Sequence, residues 1–179
     1  MRHSAVLLRA AFAIALILSP AAAEAAATGP SGLPLPRFVT VKSRESNVRV
    51  GPGYQYDIAW TYQVGGVPVE IIQEFDVWRK IRDVDGSVGW VHQNMLSGTR
   101  AGYVTKDAGD KVGIRVSASD DAGIAAWVGP GFPVKINSCQ KGWCAVIATD
   151  HPPSGTPSNY SGYLPEQDLW GVYQGENFD

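Results

Sequence analysis

The sequence predicts an all-β chain folded as two small β-barrels in tandem, and three observations lead there. Past the N-terminal segment, no stretch longer than about ten residues keeps the i, i+3, i+4 apolar spacing of a helix. Short β-branched and aromatic runs recur instead, punctuated by turn signals at Gly51-Pro52-Gly53, Gly65-Gly66, Asp85-Gly86, Gly129-Pro130-Gly131 and Gly142. The chain also repeats itself at a spacing of 65 residues.

Taken in order, the first element is not part of the fold. Met1 to Arg9 is basic, Ala10 to Leu18 is apolar without interruption, and Ala21-Ala22-Ala23 follows Ser19-Pro20. A basic start, a short apolar core and small residues at the cut describe a secretory signal peptide over 1–23, with cleavage between 23 and 27. The apolar core is about half of the roughly 18 residues that a membrane span needs. No cysteine lies near the site to carry a lipid. The expected location is the periplasm or the exterior, with no stable membrane span after cleavage. Residues 24–36, rich in Ala, Gly and Pro, read as a flexible leader. Structure is expected from Arg37-Phe38-Val39-Thr40-Val41, which alternates at period two. Val67 to Gln73 and Val77 to Val84 are the clearest strands after it, and Asp85-Gly86 reads as a hairpin turn.

The repeat has two candidate registers. Val-Gly-Pro-Gly-aromatic occurs at Val50 to Tyr54 and at Val128 to Phe132, a spacing of 78, but Val69, Trp78 and Trp90 then find no partners. A spacing of 65 sets Val69 on Val134, Ile71 on Ile136, Trp78 on Trp143, Ile81 on Val146 and Tyr62 on Trp127. With one residue added upstream, Val48-Arg49-Val50 meets Ile114-Arg115-Val116. With eight added downstream, Gly89-Trp90-Val91 meets Gly162-Tyr163-Leu164. The eight fall in the polar, Pro-rich stretch 148–159, read as an inserted loop. The first unit is therefore placed at 37–104 and the second, diverged one at 105–175. Expected core residues are Val48, Val50, Ile58, Val69, Ile71, Ile81, Trp90 and Val91 in the first barrel. In the second they are Ile114, Val116, Val134, Ile136, Val146, Tyr163 and Leu164.

Asn47-Val48-Arg49-Val50-Gly51-Pro52-Gly53, Gly66-Val67-Pro68-Val69-Glu70-Ile71, Trp78, Gly89-Trp90-Val91 and Met95-Leu96 occur in one order. The unit so built resembles the bacterial SH3 domain, with its Asn-Val-Arg-x-Gly-Pro opening, Gly-Trp-Val strand and closing Leu. The second unit resembles it more loosely, since Ile114-Arg115 keeps the opening but Ser117-Ala118 replaces Gly-Pro. The resemblance implies two SH3-like barrels. Units of about 60 residues bury little surface, so large aromatics and a covalent staple are expected.

Cys139 and Cys144 flank Gln140-Lys141-Gly142-Trp143, the hairpin that in the first unit carries Glu74 to Arg79. An isolated pair in an oxidising compartment reads as a disulfide, and residues opposed across an antiparallel pair are close enough for one. A redox pair would ordinarily be Cys-x-x-Cys, and a zinc site would need further ligands that are not nearby. No metal and no cofactor are expected.

Charge excludes other partners. Without the signal segment the 15 basic residues fall to 13 against 17 acidic ones, a net charge of −4, and no segment concentrates Lys and Arg. Neither nucleic acid nor an anionic membrane surface suits such a chain. No HExxH or GxSxG is present. His92 reads as an outward polar residue before a turn, and His151 as a solvated residue of the Pro-rich loop. Bacterial SH3 domains often accompany Cys/His peptidases, but both cysteines are committed and no stretch of about a hundred residues remains for such a domain. The chain is expected not to be an enzyme.

The positive signal is aromatic: 17 of the 18 aromatics remain in the mature part. Tyr54, Tyr56 and Trp60, with Trp78, are the candidate ligand-binding residues, in or near the loop that borders the peptide groove in SH3 folds. Against this, Tyr56 and Tyr62 could plug the barrel and Trp60 could pack on the second barrel. Arg49, matched by Arg115, reads as structural, pairing with a turn acid. The leading expectation is an exported, non-catalytic module binding a cell-wall peptide or an envelope protein segment. A structural protein docking one dedicated envelope partner is the alternative, and a small cell-wall hydrolase a weaker one.

Overall fold

The computed structural model describes residues 27–105 and 110–179, and the expected signal peptide, 1–23, lies outside them. A small hairpin opens the described chain, β1 (Ala27–Thr28) with β2 (Pro34–Leu35). The first sheet comprises β3 (Arg37–Val41), β4 (Ser46–Arg49), β5 (Ile58–Tyr62), β6 (Pro68–Phe75), β7 (Trp78–Arg82), β8 (Val88–His92) and β9 (Leu96–Ser97). The second comprises β10 (Arg100–Val104), β11 (Val112–Arg115), β12 (Ile124–Val128), β13 (Pro133–Gln140), β14 (Trp143–Asp150), β15 (Ser158–Pro165) and β16 (Leu169–Trp170). Strand orders are β5-β4-β8-β7-β6-β3-β9 and β12-β11-β15-β14-β13-β10-β16. Strand for strand, the two orders coincide. In each sheet a 3-10 turn, Gln93–Met95 or Glu166–Asp168, precedes the last strand.

Inward side chains from across the first sheet, among them Val41, Val48, Val69, Ile71, Ile81 and Val91, meet in one sealed cluster. A flat sheet could not bring them together, so the sheet curls around its own core in the SH3-like manner. Each such side chain contributes roughly 1.5–3 kcal/mol on burial. The second core is built alike from Ile114, Val134, Ile136, Val146 and Leu164, with Cys139 and Cys144 inside it. Gly89 shows why the penultimate strand opens on glycine: a Cβ there would lie 2.5 Å from Val48 Cγ1.

Several expectations are corrected. Val50 and Val116, expected in the cores, are 63% and 61% exposed. β4 and β11 end at the preceding arginines, so the alternation that would turn these valines inward stops before them. Ile58 also faces out: a bulge opposite Val48/Arg49 makes Ala59 an extra residue and reverses the strand's parity. Tyr163 is half-buried on the outer face rather than in the core. Tyr62 matches Val128, not Trp127, because Ser46 pairs with Tyr62 as Val112 pairs with Val128; Trp127 is 60% exposed. Arg100–Val104, assigned by sequence to the first unit, pairs with β13 and β16 and belongs to the second sheet. The stretch 148–159 is only partly a loop, since Ala148–Asp150 and Ser158–Asn159 extend the β14–β15 hairpin. The described part of the leader is not a bare tether either. It is tied to the first barrel, where Ser31 donates through N–H and hydroxyl to Glu74 at 2.8 and 2.7 Å.

The barrels meet at a joint built on aromatic rings and one carboxylate. Phe38 is buried between Trp170 and Tyr173, with ring centroids 5.0 and 4.8 Å away. The Tyr173 hydroxyl donates to Glu70 Oε1 at 2.7 Å, and Arg82 holds the other carboxylate oxygen. Burial, then the Glu70 carboxylate, raise the Tyr173 phenol far above its usual range.

Candidate functional site

The site begins with the loop after β4. Val50 N–H donates to Asp57 O (3.0 Å), Gly53 N–H to Gly51 O (3.0 Å) and Tyr56 N–H to Gly53 O (3.2 Å). Gly51 has no Cβ because the Tyr56 ring lies 2.5 Å from where it would be. Arg49 Nη1 closes the loop by donating to the carbonyl oxygens of Tyr56 (2.7 Å) and Tyr54 (3.3 Å). Its role is structural as expected, but its partners are carbonyls and not a turn acid.

So held, Tyr54 projects over the outer face of the first sheet with 70% of its surface exposed. Its ring stands edge-on to Trp78 at 5.1 Å and lies nearly parallel to His92 at 6.0 Å, and Trp78 and His92 are 5.6 Å apart. The Arg49 guanidinium carbon sits 5.6 Å from the Tyr54 ring centre. Pairing across the sheet explains the rest of the face: Phe75 opposes Trp78, Trp78 opposes His92, and Lys80 opposes Trp90. Lys80 Nζ lies 5.9 Å from the Trp90 ring centre. His92 Nδ1 accepts from Asn94 N–H at 3.2 Å, so the neutral ring carries its proton on Nε2 and can donate outward. Tyr54 and Phe75 are exposed while Trp78 and Trp90 are buried as the floor beneath them; exposed rings, a cation and an imidazole N–H suit stacking, cation–π contact and hydrogen bonding to a peptide.

Of the four expected site residues, the structure brings Tyr54 and Trp78 together, with Tyr56 as backing for the loop. Trp60 is elsewhere. It opposes Val48 on β5 and packs on Tyr62, ring centres 6.3 Å apart, and over Gly89. It therefore supports the first core and not the joint with the second barrel. Phe75 and His92 are members that sequence reasoning missed. His92 shares parity with Trp90 on β8, a signal available in the sequence. Phe75 faces out only because of a bulge between Ile71 and Gln73, which leaves no such signal.

Behind Trp78 lies an ionic clamp. Glu74, its side chain fully enclosed, takes Arg37 at 2.7 Å and Arg79 at 3.2 Å, besides both Ser31 groups. Burial alone would raise its pKa, but Ser31 and the two guanidiniums outweigh burial and bring it down to about 2. Arg79 continues to Gln93 Oε1 at 2.6 Å, beside His92. In the second barrel the corresponding cross-strand pair is Cys139 and Cys144, joined as a disulfide with Cα atoms 4.1 Å apart. The expectation that no further metal ligand lies near them is corrected: Glu166, buried, brings its carboxylate within 4.8 Å of both sulfurs. The sulfurs are bonded to each other and offer a metal no thiolate.

Residues 42–98, about a third of the chain, match the bacterial SH3 domain family; the span runs from the end of β3 to just past β9. Among solved structures the chain is similar to NlpC2 from Trichomonas vaginalis, with 15% identity and a TM-score of 0.32, over 75% of this chain and 48% of that one. It is likewise similar to NlpC1 from the same organism, with 15% identity and a TM-score of 0.31, over 87% and 50%. The chain spans about half the length of those two proteins. No curated protein matches the sequence. Among the described residues no helix is long and apolar enough to cross a membrane.

Proposed function

Because the first barrel contains a bacterial SH3 domain, we propose that the chain is an exported, non-catalytic module that binds a peptide of the cell envelope on the outer face of that barrel. The observation that carries this reading is Tyr54, largely exposed yet fixed by Arg49 above Trp78 and His92. A side chain whose ring already rests on its neighbours loses less entropy on binding than a free one, which is what an anchor residue needs. The periplasmic or secreted location rests on the N-terminal segment and on a disulfide, which persists in oxidising compartments. The ligand is a stem peptide of peptidoglycan or a segment of an envelope protein.

Sedimentation with purified cell-wall sacculi tests the wall-binding form. The mature chain is expected in the pellet, and Tyr54→Ala is expected to release most of it. A wild-type chain left in the supernatant overturns it. The joint built from Phe38, Trp170, Tyr173 and Glu70 favours a second reading, in which two fixed barrels present one surface to a dedicated envelope protein. In-cell crosslinking to a single protein band, without wall fragments, would favour that reading.

A further inference from the structure

We infer that the second barrel carries its own ligand site, on the outer face of β14 and β15, for a short peptide bearing both a free ammonium and a carboxylate. The inference rests on reading the chain as a binding module, and it adds a ligand class and a second location.

The two barrels share one frame on this face. After β11, Val116 N–H donates to Gly123 O (2.9 Å), Ser119 N–H to Ser117 O (2.8 Å) and Ala122 N–H to Ser119 O (3.2 Å). Arg115 Nη1 donates to Ala122 O at 2.8 Å, as Arg49 does to Tyr56 O. Apart from the longer bond from Arg49 to Tyr54 O, which has no counterpart among the described residues, the loop is that of the first barrel with every number raised by 66. Strand pairing equates the floor too: Trp143 opposes Pro165 and Ala145 opposes Tyr163, where the first barrel has Trp78 with His92 and Lys80 with Trp90.

The side chains on that frame differ in one direction. Asp120 stands at the loop position of Tyr54, Ala122 at that of Tyr56, and Ala145 at that of Lys80. In the first barrel an aromatic ring covers the tryptophan and an ammonium covers its neighbour; in the second both covers are gone. A hollow of about 440 Å³ is left, lined by Trp143, Tyr163, Ala145, Lys141, Ser138 and Gln140. That volume lies within the range of small-ligand pockets.

The first barrel also shows what the frame accepts. Lys80 places an ammonium 5.9 Å from the ring centre of Trp90, and a ligand ammonium can take the same position over Tyr163. Lys141, at the hairpin tip with φ 52°, supplies the opposite charge for a carboxylate. Ser138 and Gln140 offer hydrogen bonds to the peptide backbone between. The chemistry selects a peptide with a basic side chain and a free carboxylate.

Isothermal titration of the mature chain with the N-acetylated tripeptide Ala-Glu-Lys tests this, with its N-acetylated norleucine analogue as the probe that lacks the ammonium. Saturable one-to-one binding is expected, weakened tenfold or more when norleucine replaces lysine. Ala145→Lys rebuilds the first barrel's cover and is expected to weaken binding at least tenfold with an unchanged melting temperature. Lys141→Asn, which keeps the left-handed turn, should weaken it several-fold, and Tyr54→Ala should leave it unchanged. Absent heat, equal affinity for the norleucine peptide, or wild-type affinity in Ala145→Lys overturns the inference. If the tripeptide fails while the chain still pellets with sacculi, this inference falls and the binding-module reading stands; if both fail, both fall.

Discussion

The tips of two matching hairpins are locked by opposite means. Across β6 and β7, Glu74 faces Arg79; across β13 and β14, at the same positions, Cys139 faces Cys144. The consequences spread to the neighbouring segments. Arg37 on β3 opposes Ile71 and turns to Glu74, one strand away. Arg100 has the same place on β10, opposing Ile136, but finds a cysteine where Glu74 would be. Its carboxylate comes instead from Glu176 in the C-terminal tail, at 2.7 Å, and the tail is further pinned by reciprocal bonds between Cys139 and Phe178 at 2.9 and 3.0 Å. One barrel thus recruits the segment before it through an ionic clamp. The other recruits the segment after it, once the clamp has become covalent.

Removing the clamp should give the largest effect. Glu74→Ala leaves two guanidiniums facing each other beneath Trp78, one of them on the nearly buried Arg79. Loss of one partner of a buried pair costs about 3 kcal/mol or more. The expected outcome is a separate, earlier melting of the first barrel by calorimetry, with amides of residues 29–37 exchanging faster. A single unshifted transition would show that the clamp and the first barrel's stability are unrelated.

Acid should reach the same group more gently, since a protonated Glu74 still fills its space. Its folded value of about 2 lies below the ordinary carboxyl value of 4.5. Its stabilisation is therefore complete above about 4.5 and is lost as the pH falls toward 2. Glu176 is also held low: burial would raise it, but Arg100 and the Tyr173 N–H outweigh that. Both tethered segments are expected to loosen in acid, but only the 74–79 hairpin should open, because the disulfide keeps 139–144 closed. Hydrogen exchange read at these two hairpins between pH 5 and 2 checks the contrast.

Opening the disulfide comes next. A loop of about six residues gives about 2 kcal/mol by chain entropy, so reduction, or the Cys139→Ala/Cys144→Ala pair, should lower the second transition by that amount. The bonds from Cys139 to Phe178 are backbone bonds, so the tail should stay docked. Loss of the tail on reduction would mean that the covalent lock, and not the strand pairing, holds it.

How much of this was legible depended on whether period two survived. The repeat, the disulfide, the strand starting at Arg37 and the aromatic pair Tyr54 and Trp78 could be read because residue type and alternation agree there. Ile58 and Phe75 could not, since each follows a bulge that reverses parity without changing composition. Trp60 misled for a related reason: its cross-strand partner Val48 draws it to the core side, away from the loop neighbours that it has in sequence. Strand β10 was assigned to the wrong unit because nothing in Arg100–Val104 states which sheet it will join; only its pairing with β13 and β16 does.

The smallest effect compares the two loops directly. Arg49 and Arg115 each hold the loop carbonyl seven residues on, at 2.7 and 2.8 Å. Replacing Arg115 by alanine removes one charge-assisted bond to a loop carbonyl, which costs about 1 kcal/mol; replacing Arg49 removes such a bond and a longer second one to Tyr54 O at 3.3 Å. The stability losses should therefore be of similar size. Their effects on function should not be. In the first barrel the loop carries Tyr54 against Trp78 and His92, so Arg49→Ala should free that ring and reduce sedimentation with sacculi. In the second the corresponding residue, Asp120, is not among those lining the hollow, so Arg115→Ala should change affinity for the lysine tripeptide only a few-fold. Equal losses of sacculus binding in the two variants would mean that the loops act through the stability of the whole chain and not through the rings they present.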